Sequence, residues 1–235
     1  MKKMVLWKTA SLVSLILGFF LLASVVVPII SYESASREKY PDLLSPIVAN
    51  KPVPKLESFD YTRASNWFID DLPTEEFISS NISYYTFSIP KLGIENARVN
   101  IGGEDLSKSL IQYPGTARPG KEGNTVVFGH SILPQFFNPK NYIAIFSTLP
   151  DLEKGDAINI EYDGISYTYI VQDMFEVLPT DLYVLDQGQN DSYLSVITCV
   201  PPGHPLKPRR LVVRARIVPF EASRLSQQIN ADIRN

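Results

Sequence analysis

The amino-acid sequence predicts a mainly β domain carried behind a single membrane-spanning helix. Three observations predict it. A run of 24 uncharged residues lies near the N-terminus, six short segments between residues 84 and 220 are rich in β-branched and aromatic side chains, and turn dipeptides separate those segments. With 235 residues, 45% of them hydrophobic, the chain is long enough for one globular domain with a sizeable core plus appendages. The 22 Lys and Arg against 25 Asp and Glu give a net charge of −3 with no basic stripe, which argues against nucleic acid as a partner.

Taken in order, residues 1–8 form a basic flank, with Lys2, Lys3 and Lys8 ahead of the apolar run Thr9–Tyr32. Twenty-four residues exceed what a helix needs to cross a hydrocarbon core of roughly 30 Å. Cytoplasmic flanks collect Lys and Arg, so the short N-terminus is expected inside and the rest of the chain outside. A cleaved signal peptide is the competing reading, with small residues at Ser34-Ala35-Ser36, but its apolar stretch would be only about 7–15 residues.

Residues 33–83 read as a stalk. Pro41, Pro46, Pro52 and Pro54 fall among Ser, Lys and Asp, a composition that keeps backbone extended. Within it, the apolar cluster Trp67-Phe68-Ile69 is compatible with a lid or capping segment over the domain that follows.

From 84 to 220 the pattern is β. Tyr84 to Ile89, Thr125 to Phe128, Ala157 to Tyr162, Ile165 to Val171, Tyr193 to Thr198 and Leu211 to Val218 are the expected strands. Bends are expected at Gly102-Gly103, Pro119-Gly120 and Lys154-Gly155-Asp156, and Asp163-Gly164 has the form of a two-residue hairpin turn. Strands this short and numerous argue for a closed barrel or a sandwich. Short helices are expected near Asp105 to Gln112 and Ile143 to Ser147, and residues 221–235 form a polar tail.

Cys199 is the only cysteine of the chain and stands at the end of a strand-like run. A lone thiol outside the cytoplasm has no disulfide partner in its own chain, and nucleophilic chemistry is the reading that accounts for it. The bland reading is a small buried hydrophobe. His130 follows Thr125 to Phe128, where a surface loop histidine is the default. His204 lies in the turn Pro201-Pro202-Gly203-His204-Pro205, suited to a surface or groove contact. A zinc site from His130, Cys199 and His204 has no fourth ligand and no usual spacing. Glu95, Glu104, Asp105, Asp151, Glu153 and Asp156 raise the thought of calcium but read as ordinary loop solvation, so no cofactor is called for.

Several runs together resemble a sortase. They are Ser88-Ile89-Pro90-Lys91-Leu92-Gly93-Ile94, Tyr113 to Gly120 with Gly123 to His130, Ser195-Val196-Ile197-Thr198-Cys199, and Arg210-Leu211-Val212-Val213-Arg214. The order His, Cys, Arg is also that of the family, and the match spans nearly all of 84–220. The usual Thr-Leu-x-Thr-Cys signature carries Ser195 and Val196 at its first two positions. The resemblance implies a closed eight-stranded β-barrel and a cysteine transpeptidase at the outer face of a cell membrane. It would cut a Leu-Pro-x-Thr-Gly-like sorting signal after Thr and join the acyl group to an amine of the cell envelope, such as a peptidoglycan precursor or a pilin Lys. His130, Cys199 and Arg210 would be catalytic, with Thr198 and His204 as substrate contacts.

Chemistry supports those roles. Thiolate is the strongest side-chain nucleophile near neutral pH, histidine moves protons in that range, and a cation stabilises a developing oxyanion. Arg210 is preferred to Arg209 because strand parity sets Arg209 with Leu211, Val213 and Ala215, the apolar face, and Arg210 with the groove. Other readings are an L,D-transpeptidase, a papain-like hydrolase and a β-barrel binding module without turnover. The first lacks its Ser-His-Gly-Cys signature here, and the second places Cys before His. Pilin-polymerising sortases often carry a second, C-terminal span and an Asp-Pro-aromatic lid motif. Asp60-Tyr61 lacks the Pro and no second span is visible, which favours an anchoring enzyme. Leu72-Pro73-Thr74-Glu75 and Leu178-Pro179-Thr180-Asp181 faintly echo a sorting signal and read as ordinary Pro turns.

Overall fold

The computed structural model describes residues 2–40, 60, 62–67, 84–188 and 190–219, in two units divided after Pro41. The first unit is one helix, α1 (Lys2–Lys39). Its portion Ser11–Lys39 has a mean hydropathy of 2.7 and is long and apolar enough to cross a membrane. The helix runs past Tyr32 into residues expected as stalk, because Glu33 to Lys39 contain no Gly or Pro and place Arg37 and Lys39 where a helix C-terminus favours cations. All four stalk prolines, the part of the candidate lid over 60–81 that lies beyond Trp67, and the tail from 220 lie outside the described residues.

The second unit is a closed barrel of eight strands: β1 (Tyr84–Ile89), β2 (Ile94–Ile101), β3 (Leu110–Gln112), β4 (Gly123–Phe128), β5 (Ala157–Tyr162), β6 (Ile165–Val177), β7 (Ser192–Val200) and β8 (Arg209–Ile217). Around the barrel the order is β1-β2-β3-β4-β7-β8-β6-β5. Closure leaves no free sheet edge. Asp163 and Gly164, both at positive φ, make the two-residue turn between β5 and β6, as their sequence predicts.

Two strands escaped the sequence pattern and two helices were expected in error. Ile94–Ile101 carries Glu, Asn and Arg in the sequence IENARVNI, and β3 has only three residues. Around 105–109 the chain makes a turn in which Asp105 accepts hydrogen bonds from the Ser107 amide and hydroxyl, a local alternative to helix. Residues 143–147 are likewise turns, started by the Asn141 side chain accepting the Ile143 amide.

The site is positioned by β4 and β7. Every residue of β4 is buried, and so is every residue of β7 but Tyr193. Such strands are covered on both faces, the inner by the barrel core and the outer by added chain. One cover is Leu182, Tyr183, Val184 and Leu185, from the loop between β6 and β7. Gln187 pins that loop, its carbonyl oxygen accepting the Ala117 and Asn124 amides at 3.0 and 3.1 Å while its amide nitrogen donates to the Asn124 and Leu185 carbonyls. The second cover is the short 3-10 turn Ala64–Trp67, whose Ala64 and Trp67 are buried against Phe128, Ile197, Cys199 and Val212. The Leu178 to Asp181 echo is a turn, the Asp181 side chain accepting the Leu178 amide at 2.8 Å and the Asp181 amide donating back to the Leu178 carbonyl at 3.0 Å.

Candidate active site

Register brings Cys199, Arg210 and His130 to one place. In the antiparallel pairing of β7 with β8, Cys199 lies directly opposite Arg210, so their side chains leave the sheet on the same face. In the parallel pairing of β4 with β7, Phe128 is opposite Ile197. Two residues on, the same alignment carries His130 to Cys199. That continuation is held by three hydrogen bonds: the Gly129 amide to the Ile197 carbonyl at 3.2 Å, the Thr198 hydroxyl to the Gly129 carbonyl at 2.8 Å, and the Ser131 hydroxyl to the Cys199 carbonyl at 2.6 Å. Gly129 is required here by space. A Cβ would stand 2.4 Å from the Phe146 ring and 2.6 Å from Leu110.

All three side chains are covered, with Cys199 0%, Arg210 1% and His130 4% exposed. The cover is Trp67, itself fully buried. Its ring stacks on Phe128 at 5.3 Å, lies 5.7 Å from the His130 ring, and sits under the Arg210 guanidinium at 5.6 Å. Arg210 Nε donates to the Trp67 carbonyl at 3.0 Å, and its Nη1 donates to the Lys207 and Arg209 carbonyls at 2.9 and 3.1 Å. The guanidinium is therefore aimed by backbone and already holds a carbonyl oxygen, the kind of group a cation polarises in acyl transfer.

His130 has its Nε2 buried without a hydrogen-bond partner among the described residues. Burial, with the Lys207 ammonium adding to it and Asp60 and Asp105 opposing it, pushes its pKa down to about 4. The covered imidazole is neutral at pH 7. Beside it is a cavity of about 230 Å3 lined by His130, Ser131, Ile132, Ile143 and Lys207, with Asp60 and Thr62 from the covering segment. Burial lowers the Lys207 pKa as well.

Arg209 points the other way, as parity predicts, with its Nε 2.6 Å from the buried Glu176 carboxylate. The parity argument erred in one respect: the Arg210 face is no open groove, since Val212 on it is as buried as Leu211 and Val213. Thr198 has its hydroxyl engaged by Gly129, and His204 accepts the Leu206 amide on Nδ1 at 3.2 Å inside its own turn. Of the acidic residues considered for calcium, Glu153 and Asp156 pair with Lys91, Asp105 with Lys108, and Glu104 with Arg63. Among the described residues no group of three or more His, Cys, Asp or Glu is arranged to hold a metal.

A sortase-domain family model matches residues 87–218, more than half of the chain. The chain belongs to the sortase family. Among solved structures, this sortase is similar to sortase C-1 from Actinomyces oris, at 25% identity and a TM-score of 0.51 over 58% of this chain and 73% of that one. It is also similar to sortase A from Corynebacterium diphtheriae, at 27% identity and a TM-score of 0.51 over 61% of this chain and 64% of that one. Sortase C from Streptococcus pneumoniae shares the fold at 23% identity and a TM-score of 0.51, over 61% and 72%. No curated protein matches. The family brings cysteine transpeptidase activity in general terms, and the relatives mix types, so the subgroup is not assigned by likeness. Sequence reasoning missed Lys207 and Ser131 as neighbours of the site, whereas Asp60, noted there only as a lid position without its Pro, lines the cavity beside His130. The Trp67 cluster was the visible signal for the cover.

Proposed function

We propose that this sortase is anchored by α1, faces its barrel outward, cleaves a Leu-Pro-x-Thr-Gly-like sorting signal after Thr through a thioester on Cys199, and transfers the acyl group to an envelope amine. The observation that carries this reading is the convergence of Cys199, Arg210 and His130 at one end of the β4-β7-β8 sheet.

In the first half-reaction the Cys199 thiol gives its proton to neutral His130, and Sγ attacks the Thr carbonyl carbon. The carbon–sulfur bond forms and the electron pair moves to the carbonyl oxygen, where Arg210 Nε stabilises it. Collapse breaks the carbon–nitrogen bond, and the leaving amine takes the proton back from the imidazolium. In the second half an incoming amine attacks the thioester, its proton passes to His130, and the carbon–sulfur bond breaks to restore Cys199. Peptide and Trp67 compete for one position, since the Trp67 carbonyl occupies Arg210. The covering segment must therefore leave when substrate binds. Thr198 and His204 serve as scaffold: the first ties β7 to the His130 loop and the second shapes the turn before Lys207. Lys2, Lys3 and Lys8, ahead of the apolar portion of α1, support an inward N-terminus.

The test is to incubate the full chain in detergent with a library of Leu-Pro-x-Thr-Gly-like peptides and an amine acceptor. Mass spectrometry should show cleavage after Thr and the transferred product. Absence of cleavage with every peptide would favour a binding module.

A further inference from the structure

The large hydrophobic side chains that the barrel exposes are concentrated beside the candidate active site. Among the described residues outside α1 they are Tyr84, Phe136, Ile143, Ile165 and Leu206. Three of these stand on turns next to the site, with Phe136 60%, Ile143 46% and Leu206 53% exposed. Their loops touch. Ile143, Ile132 and Lys207 line the cavity beside His130, and Leu206 directly precedes Lys207. Leu133, whose carbonyl accepts the Phe136 amide at 2.9 Å, packs so closely on Gly203 that a Cβ there would stand 2.6 Å from its Cγ. The apolar groups thus share one rim, unlike the scattered single exposures that any soluble surface carries. The charge of this rim has one sign. Residues 129–149 and the whole loop between β7 and β8, 201–208, contain no Asp or Glu, in a chain that has 25 of them. Lys140 lies between Phe136 and Ile143 in the chain and is exposed. The acids whose field reaches His130 lie on other segments: Asp105 is paired with Lys108 at 2.7 Å, and Asp60 belongs to the cover.

We propose that this rim docks on an anionic lipid surface, with Phe136, Ile143 and Leu206 entering the headgroup region and Lys140 meeting lipid phosphates. Exposed apolar side chains flanked by a lysine and no carboxylate match both halves of such an interface: the acyl boundary takes the apolar groups, and the negative surface potential takes the cation. The inference rests on the anchoring reading above. A chain held in the bilayer by α1 keeps its barrel at high local concentration beside lipid, so a rim of three apolar side chains and one lysine is enough, where it would be too weak for a free protein. The two other exposed hydrophobics stay outside the rim. Tyr84 has one ring face covered by the Arg98 guanidinium at 4.1 Å. Ile165 begins the thirteen-residue β6, whose last residue, Val177, pairs with Arg210, so roughly 40 Å of strand separates Ile165 from the site. Docking therefore turns the end of the barrel that holds Cys199 toward the lipid and leaves the Ile165 end in water.

The test places the photocrosslinker p-benzoylphenylalanine at position 136, 206 or 165 of the full chain. Each chain is reconstituted into vesicles of phosphatidylglycerol and phosphatidylcholine in equal parts, or of phosphatidylcholine alone, and adducts are mapped by mass spectrometry after irradiation. In the anionic vesicles, positions 136 and 206 should yield lipid adducts at least about fivefold above position 165. Lys140→Gln should lower the yield at 136 in those vesicles by up to about fivefold, the scale of one lysine beside an anionic surface, and change nothing in phosphatidylcholine alone. Equal lipid yields at all three positions, in vesicles with which the chain floats, would overturn the docking and leave the anchor intact. Adducts from 136 mainly to residues 68–83 or to a second copy of the chain would overturn the lipid assignment in favour of that occupant. If the chain does not float with the vesicles, the anchoring reading falls and the docking with it.

Discussion

At the scale of single residues, the reading rests on a thiol, an imidazole and a guanidinium whose neighbours differ in kind. Cys199 is packed in an apolar cluster, so Cys199→Ala removes little volume and should cost about 1 kcal/mol of stability while abolishing thioester formation. Residual transfer by that variant, measured by product mass, would remove Cys199 from the mechanism. The two adjacent arginines separate cleanly. Arg210→Ala should lower turnover by about 10²–10³, as loss of an oxyanion donor does, with Lys a poor replacement because it lacks the planar fork. Arg209→Ala should leave turnover within a few-fold but remove the guanidinium paired with the buried Glu176 carboxylate, a loss on the order of 3 kcal/mol visible as a lower urea midpoint. The opposite facing of the two arginines was legible in the sequence, because strand parity alone gives it. Lys207 was not legible. It lies in a turn, where no periodicity tells a side chain that lines a cavity from one that faces water.

At the scale of elements, the covering turn Ala64–Trp67 controls access. Trp67→Ala deletes a fully buried indole, typically about 3–5 kcal/mol, and the loss falls on docking of this segment rather than on the barrel. Labelling of Cys199 by a small thiol reagent should accelerate at least about tenfold in that variant. An unchanged rate would mean that the cover is not what shields the thiol. The same burial sets a pH dependence. With the His130 pKa depressed to about 4 in the folded chain and near 6.5 unfolded, the unfolded chain binds a proton through that window that the folded chain does not. Stability should therefore fall as pH drops from 6.5 toward 4, by on the order of 3 kcal/mol from this group. His130→Gln should flatten that slope in urea titrations at pH 7 and pH 4.5. Strands with dense β-branched and aromatic residues declared themselves in the sequence. β2 did not, because it exposes Glu95, Asn96 and Arg98, and β3 is too short to show a period. The length of β6 was underestimated for a similar reason: beyond Val171 it carries Gln172 and Asp173 at a register irregularity before turning apolar again.

At the scale of the whole molecule, the proposed function requires the barrel outside and the chain held at the membrane. In protoplasts of a host expressing the full chain, added protease should digest the barrel while α1 stays in the membrane fraction. Protection of the barrel in intact protoplasts would reverse the topology. The barrel's closure was inferable only through resemblance, because strand order depends on pairings between segments far apart in the chain, and local pattern does not contain them. Parallel pairing of β4 with β7, on which the site depends, joins strands about sixty to seventy residues apart. The most direct test of the central claim is the intact mass of the full chain after exposure to a cleavable sorting peptide without an acceptor. The account predicts one adduct equal in mass to the acyl fragment ending in Thr, mapped to the peptide containing Cys199 and discharged on adding an amine. An adduct on any other residue, or peptide cleavage by the Cys199→Ala variant, would contradict it.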